Sequence, residues 1–209
     1  TQAYTQEEDI DLKLANKIKD RKHIHYIMIS SRAVYGDAED LQETNQPQPT
    51  NNYGQSKLLI EKSLTQLLGE DRLTILRCSN VFGEDAGEHT FIGKALSDLK
   101  KYKKIVFHMS KETKKDFVPV KEVCRVIKKM AQRKLAGVYN VGLGVSTKCG
   151  DIAEWLILGY GQGSLEVCDN TVKGQFFMDT SKVNKELNLN KRSDDVIEQK
   201  CMELGRNLK

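Results

Sequence analysis

A nearly continuous apolar segment, followed by a polar loop and a long helix, constrains this fold more than any other feature. The segment His23–Ser30 reads HIHYIMIS, with apolar side chains at almost every position rather than at alternate ones. Such a run is typical of a parallel strand that is buried on both faces. A second run, Leu73–Ser79 (LTILRCS), follows a helix predicted over Tyr53–Leu68. This alternation of helix and buried strand predicts an α/β fold built on a parallel sheet.

Similar patterns predict the other elements. A first helix is expected over Thr5–Asp20, because Thr5 and Glu8 form a capping box and apolar residues recur at every fourth position from Ile10. Later helices are predicted near residues 90–101, 120–133, 147–159, 180–187 and 194–208, and later strands near 105–109, 137–142 and 164–169. The sequence shows no internal repeat and no low-complexity linker.

Composition excludes several classes of protein. The 209 residues, 39% of them hydrophobic, suffice for one domain or one and a half. The net charge of +4 is spread along the chain, apart from the lysine-rich segments Lys100–Lys104 and Lys111–Lys115. A nucleic-acid-binding protein more often shows a concentrated basic face, so no nucleic-acid partner is expected. No apolar run approaches the ~20 residues of a membrane span, so no membrane partner is expected either.

The cysteines and histidines indicate neither a disulfide framework nor a metal site. The five cysteines are odd in number and contain no C-x-x-C pair, and the four histidines form no H-E-x-x-H pattern. We therefore expect reduced thiols, no bound metal and a cytoplasmic location.

Three polar residues suggest proton-transfer chemistry. Tyr53 and Lys57 are four residues apart on the predicted helix and therefore share a face. A free tyrosine, with a pKa near ~10, is a poor base at neutral pH, but a neighbouring ammonium group stabilises the phenolate. Ser31 ends the first apolar strand, where α/β folds place groups that face a ligand. Taken alone, Ser31 is more simply explained as the cap of a turn.

Six ordered motifs carry a family resemblance from Ile29 to Asn190. They are ISSRAVYGD, NNYGQSKLLIEK, LRCSNVFG, KKDFVPVKEVCRVI, GVYNVG and MDTSKVNKELNL. In this order they resemble the extended short-chain dehydrogenase/reductases, the NAD-dependent epimerase/dehydratase family. The resemblance implies a Rossmann-like parallel sheet with a smaller α/β substrate-binding domain. Residues 1–85 would belong to the dinucleotide-binding domain, and residues 86–209 mainly to the substrate domain, with some segments returning to the sheet.

The resemblance also implies the residues of the site. Ser31, Tyr53 and Lys57 would be catalytic, with Tyr53, Lys57 and Ser79 contacting NAD or NADP. A nucleotide-sugar substrate would contact Ser31, Asn80, Thr90, Lys115 and Lys173.

Three departures from the family pattern qualify this reading. No G-x-x-G-x-x-G loop precedes Ser30, so about 80 residues of the family pattern are absent from this sequence, which is either a fragment or a truncated member of the family. Because the residue that reads the cofactor ribose belongs to that segment, NAD cannot be distinguished from NADP. Lys115 and Lys173 stand where the family usually has arginine. Lysine keeps the positive charge of arginine but lacks its bidentate fork. Arg32 and Ala33 follow Ser31, where 4,6-dehydratases carry acids. An epimerase or a 4-ketoreductase is therefore favoured over a dehydratase.

Other functions stay open at this point. A member of the family without turnover could act as a binding protein, and an RNA-binding relative could use the basic segment 100–115. The helix predicted over Tyr53–Leu68 is apolar on more than one side, which indicates a partner as well as a core. The resemblance implies a homodimer in which helices 5–20 and 53–68 form a four-helix bundle with their copies.

Overall fold

The computed structural model describes residues 9–84, 87–190 and 195–208. Seven α-helices and ten β-strands lie in this part of the chain, with 3₁₀ turns at Arg32–Tyr35 and Glu70–Arg72. In chain order the elements are α1 (Ile10–Ile18), β1 (Tyr26–Ser31), β2 (Asp40–Leu41), α2 (Asn52–Leu68), β3 (Leu73–Cys78), β4 (Asn80–Phe82), α3 (Phe91–Tyr102), β5 (Lys104–Phe107), β6 (Lys114–Pro119), α4 (Val120–Arg133), β7 (Gly137–Val141), β8 (Ser146–Lys148), α5 (Cys149–Tyr160), β9 (Ser164–Val167), β10 (Phe177–Met178), α6 (Ser181–Leu187) and α7 (Asp195–Arg206).

The chain divides into two compact units. The first unit comprises Thr1–Ser79, Cys124–Val141 and Asp179–Leu189. The second comprises Asn80–Val123, Gly142–Met178 and Asn190–Lys209. The assignment of a cofactor domain to residues 1–85 and a substrate domain to residues 86–209 stays a prediction.

The first unit contains a three-stranded parallel sheet in the order β1-β3-β7. Residue Ser31 is in register with Cys78, and Cys78 with Val141, so the three strands end at the same edge. The predicted parallel α/β sheet is confirmed. Ser79 extends the pairing by donating its backbone N–H to the carbonyl of Val141 at 2.9 Å.

One face of this sheet is covered by α1 and α2. Ile60, Leu64 and Leu68 of α2 are buried against strand residues such as Met28 and Ile75. The 3.6-residue periodicity of the helix brings these side chains onto one stripe, while Leu59 stays 43% exposed. The prediction of a helix over Tyr53–Leu68 is confirmed, as is its termination by Gly69.

The first helix differs from its prediction. It begins at Ile10, and the carboxylate of Asp9 caps it by accepting a hydrogen bond from the N–H of Leu12 at 3.0 Å. The predicted capping box of Thr5 and Glu8 lies outside the described residues. Leu12 and Ala15 face the core, whereas Ile10 and Leu14 are 72% and 43% exposed. Of the residues that recur at every fourth position, Ile10 and Leu14 are therefore exposed, whereas Ile18 packs against the core.

The second unit has smaller sheets around an aromatic core. Strand β6 pairs with β4 in parallel and with β8 in antiparallel orientation, and β5 pairs with β9 in parallel. The ring of Phe91 lies 5.4 Å from that of Phe107 and 5.6 Å from that of Phe117, measured between centroids. Phe117 also meets Phe82 edge to face at 6.5 Å. These aromatic contacts join α3 to β5 and β6.

Residues 9–84, 87–190 and 195–208 contain no candidate membrane span and no candidate metal cluster. None of the helices there is long and apolar enough to cross a bilayer. No group of three or more histidine, cysteine, aspartate or glutamate side chains in that part of the chain is arranged to hold a metal ion.

Candidate active site

Ser31 lies at the carboxyl end of β1, as its position after the apolar run predicts. Its side chain also caps the 3₁₀ turn Arg32–Tyr35, because Oγ accepts a hydrogen bond from the N–H of Ala33 at 3.2 Å. The interpretation of Ser31 as the cap of a turn is thus correct. Because the hydroxyl is the acceptor in this bond, its own proton stays available for another acceptor.

Tyr53 is the second residue of α2, and the start of this helix packs directly on the turn after Ser31. Asn51 caps α2, its side-chain oxygen accepting from the N–H of Gly54 at 2.8 Å. A Cβ placed on Gly54 would lie 2.3 Å from the carbonyl oxygen of Ala33, so only glycine permits this approach. The ring of Tyr53 is 57% exposed, as a proton donor to a substrate must be.

Lys57 is anchored to the strand that carries Ser31. Its Nζ donates to the carbonyl oxygen of Ile29 at 3.1 Å, one turn of α2 after Tyr53. This bond fixes the end of a long, otherwise flexible side chain beside the carboxyl end of β1. The sheet edge therefore brings together Ser31, the helix turns of Tyr53 and Lys57, and Ser79.

Cys78 is in register with Ser31 at the same edge but has a different character. Burial raises the pKa of its thiol to about 12, although the nearby charge of Lys57 acts in the opposite direction. The thiolate is the nucleophilic form of cysteine, and it is scarcely populated at this pKa. This cysteine is therefore a buried packing group rather than a nucleophile.

In the second unit, Lys115 and Lys173 line one pocket of about 340 Å³. Its other lining residues are Phe91, Val106, Phe107, His108, Met109 and Gly174. Gly174 has a φ of +58°, and a Cβ there would lie 3.6 Å from the Nζ of Lys115. Lys173 Nζ binds the carboxylate of Asp169 at 2.5 Å and the carbonyl of His108 at 3.2 Å. The pocket thus combines aromatic side chains with two ammonium groups.

The other two predicted substrate residues stand elsewhere in the second unit. Asn80 opens β4, in register with Phe117, and is partly exposed. Thr90 caps α3: its hydroxyl accepts from the N–H of Gly93 at 3.1 Å and donates to the carbonyl of Gly87 at 2.9 Å. Thr90 lines a different cavity, of about 500 Å³, rather than the pocket of the two lysines.

Asp116 is a supporting residue that the sequence reading did not single out. It is fully buried, and its carboxylate accepts backbone hydrogen bonds from three successive residues, at 2.8 to 3.3 Å. These residues are Leu143, Gly144 and Val145. The carboxylate therefore holds the loop after β7 against β6, directly beside Lys115. A carboxylate within an apolar strand pattern was the available signal.

The fold and this sheet edge together define a Rossmann-like α/β protein of the extended short-chain dehydrogenase/reductase class. The chain belongs to the NAD dependent epimerase/dehydratase family, whose model matches residues 3–142.

Solved structures with this fold include nucleotide-sugar enzymes. A UDP-N-acetylglucosamine 4-epimerase from Methanobrevibacter ruminantium M1, in complex with UDP-N-acetylmuramic acid, is 27% identical, with a TM-score of 0.80 over 94% of this chain and 66% of that one. A dTDP-glucose 4,6-dehydratase from Bacillus anthracis str. Ames, in complex with NAD, is 19% identical, with a TM-score of 0.77 over 94% and 65%. RMD from Pseudomonas aeruginosa, complexed with NADPH, is 19% identical, with a TM-score of 0.80 over 95% and 71%.

These comparisons confirm the fold and the family. The present chain spans just under two thirds of the length of the first two structures. The epimerase and the dehydratase share the same fold, so similarity of fold does not distinguish these two reactions.

Proposed function

We propose that the protein is a nucleotide-sugar 4-epimerase or 4-ketoreductase that works with NAD or NADP. The observation that carries this proposal is the arrangement at the sheet edge of the first unit. Ser31 ends β1, Lys57 is hydrogen-bonded to Ile29 two residues earlier, and Gly54 allows the turn of Tyr53 to pack on Ala33. The side chains of Ser31, Tyr53 and Lys57, which can donate or accept protons and hydrogen bonds, thus come from β1 and α2, two elements that are packed against each other.

Tyr53 is the proposed acid and base at a sugar oxygen. Its phenol is exposed, so it can donate its proton to a carbonyl oxygen or accept one from a hydroxyl as a phenolate. Lys57 stabilises the phenolate through its ammonium charge. Ser31 orients the same sugar oxygen with the hydroxyl proton that its cap bond leaves available.

The residues of this edge fit the nicotinamide end of a dinucleotide. Lys57 offers ammonium protons to ribose hydroxyls, and Tyr53 and Ser79 lie at the same carboxyl edge of the strands, where α/β folds bind such ligands. When bound, the nicotinamide accepts or supplies the hydride. NAD in one structural neighbour and NADPH in another support this class of cofactor.

The pocket of Lys115 and Lys173 is the proposed site for the nucleotide diphosphate. Two ammonium groups complement the negative diphosphate, and the rings of Phe91 and Phe107 offer apolar surface to a base. UDP-N-acetylmuramic acid in the 27% identical neighbour supports a substrate of this chemistry. Asn80 and Thr90 stay proposed as further substrate contacts.

A dehydratase is less consistent with the sequence around Ser31. Eliminating water needs an acid and a base at adjacent sugar carbons, and Arg32 and Ala33 supply neither carboxylate. The choice between epimerase and reductase depends on whether the hydride returns to the same sugar.

The test is a reaction of the intact protein with a panel of UDP- and dTDP-sugars, followed by NMR of the products. An epimerase interconverts 4-epimers with no net change in NADH, and a ketoreductase consumes one NADH or NADPH for each 4-keto sugar. Either activity supports the proposal if Tyr53→Phe lowers its turnover at least ~100-fold. Binding of nucleotide sugar with no turnover in any mixture would favour the non-catalytic alternative.

We further propose a cytoplasmic homodimer that uses α1 and α2. Ile10, Leu14 and Leu59 are large apolar residues exposed on these two helices, and the chain's five cysteines are all free thiols. The double variant Leu14→Glu/Leu59→Glu should shift the sedimentation coefficient from dimer to monomer. A wild-type protein that is monomeric at micromolar concentration would contradict this assembly.

A further inference from the structure

A layer of buried polar side chains crosses the first unit one residue before the catalytic edge. Ser30, Arg77 and Asn140 are in register on β1, β3 and β7, and each is at most 5% exposed. Their successors on the three strands, Ser31, Cys78 and Val141, form the edge itself. In a strand environment this buried, such a polar layer is costly unless its groups satisfy one another.

Glu61 of α2 connects this layer to the helix of the proposed active site. Its carboxylate accepts two hydrogen bonds from Arg77, at 2.7 Å to Nη2 and 3.2 Å to Nε, and one from the hydroxyl of Ser30 at 2.5 Å. One side chain of α2 is thereby bonded to two neighbouring strands at the same level. Glu61 is only 4% exposed, so the pair with Arg77 is a buried ion pair.

The layer continues through Tyr35 to the third strand. The guanidinium of Arg77 lies over the ring of Tyr35 at 4.8 Å, and the hydroxyl of Tyr35 donates to Oδ1 of Asn140 at 2.7 Å. Tyr35 belongs to the 3₁₀ turn that Ser31 caps. Burial opposes the charge of Arg77, but its bonds to Glu61 outweigh this and raise the pKa of the guanidinium.

A buried ion pair of this kind fixes the relative position of the two elements that it joins, but adds little to the stability of the fold. Replacing such a pair by apolar residues is often neutral for folding, because the desolvation of both charges offsets their attraction. The apolar stripe of α2 already supplies packing, and apolar contacts tolerate small shifts along the helix axis. Bidentate bonds between a guanidinium and a carboxylate do not tolerate such shifts.

The position of Glu61 relative to Lys57 links this ion pair to the proposed active site. The two residues are one turn apart, and they bond to consecutive residues of β1: Lys57 to the carbonyl of Ile29, and Glu61 to the hydroxyl of Ser30. We infer that Glu61 and Arg77 are positioning residues, which hold the first turns of α2 in register with β1 and so place Lys57 and Tyr53 beside Ser31. The inference deepens the proposed function and rests on it for the reaction concerned.

The test compares amide hydrogen exchange with steady-state kinetics in one double variant. The single change Glu61→Leu leaves the buried charge of Arg77 unpaired and is expected to impair folding. The double variant Glu61→Leu/Arg77→Met removes both charges and should melt within a few degrees (~3 °C) of wild type. Thr65→Ala is the matched control, because it removes a side-chain bond one turn further along α2, to the carbonyl of Glu61, without touching either strand.

The expected result is local. In the double variant, amides of residues 53–60 should exchange at least ~10-fold faster while those of α6 keep the wild-type rate. The kcat for the sugar should fall at least ~10-fold, with a change in KM below ~3-fold, because the nucleotide pocket belongs to the second unit. Thr65→Ala should change neither quantity.

Other outcomes decide against the inference or separate it from the proposed function. Exchange and kcat that both stay within twofold of wild type would overturn the positioning role. Faster exchange throughout the unit together with a lower Tm would also overturn it, since the pair would then serve general stability. If the double variant fails to fold, Arg77→Lys, which keeps the ion pair with Glu61 but loses the bidentate bond, should show the same local pattern at a smaller, ~3-fold size. If the wild-type protein shows no turnover but the double variant shows the predicted exchange pattern, the proposed function is refuted. The role of Glu61 and Arg77 in holding α2 against β1 is then still supported.

Discussion

Replacing Gly54 by alanine tests the packing on which the candidate site depends. The added methyl would lie 2.3 Å from the carbonyl oxygen of Ala33 and 2.9 Å from the Cβ of Pro49. The obstacle is backbone, so the helix start or the turn after Ser31 has to move. Overpacking of this kind costs ~1–3 kcal/mol, and the higher helix propensity of alanine recovers at most ~1 kcal/mol.

The expected net effect of Gly54→Ala is a loss of ~1–2 kcal/mol in the free energy of unfolding. For a chain of this size this corresponds to a fall in Tm of about 2–8 °C. Differential scanning calorimetry measures this change, with Gln55→Ala as the control, because Gln55 is exposed on the same first turn. The turnover of Gly54→Ala should fall more than its stability suggests, since Tyr53 moves with the turn. A variant as stable as wild type, or more stable, would refute this account of the glycine.

Two further predictions concern titrating groups. Iodoacetamide at pH 8.5 should label Cys124 and Cys168, which are exposed, and spare Cys78 and its buried counterparts until the protein unfolds, because burial raises the pKa of the Cys78 thiol to about 12; peptide mass spectrometry reads out the labelling. Burial lowers the pKa of His25 below 6.5, so the unfolded state binds more protons, and stability should fall as the pH drops from 6.5 through that lowered value. In His25→Gln this part of the pH dependence of the urea midpoint should disappear, and an unchanged slope would contradict it.

The longer helices were predictable from the sequence because local signals define them. The start of α2 follows the cap residue Asn51, its end coincides with Gly69, and α4 was predicted with the bounds that the structure has. The prediction of α1 was less accurate. Among its apolar residues, Leu12 and Ala15 are buried against the sheet, while Ile10 and Leu14 are exposed. Asp9, rather than Thr5, supplies the cap of the helix that the structure describes.

The short strands could not be predicted in the same way. Strands β4 and β8 have three residues each, too few for a period of two to appear, and they form because β6 lies between them. Their partners are 30 or more residues away in the sequence. Long-range pairing of this kind overrides local propensity.

The candidate site was predicted residue by residue, but its supporting contacts were not. Ser31, Tyr53 and Lys57 were identified from a family motif, and the structure places their elements at one edge. Glu61 and Arg77 carried a weaker signal: each is a charge in an otherwise apolar pattern, and nothing local links them across 16 residues. Only the register of the strands shows that they meet. Thr90 was assigned to the substrate, and the structure adds that its hydroxyl caps α3.

The central claim is that Tyr53 transfers the proton in a nucleotide-sugar reaction. The most direct measurement is the rate of sugar turnover by the intact wild-type protein and by its Tyr53→Phe variant, at saturating nucleotide sugar and cofactor. The account predicts that the variant keeps its fold, since the ring is 57% exposed, and loses at least ~100-fold in kcat. A folded Tyr53→Phe protein whose kcat stays within a few fold of wild type would contradict it.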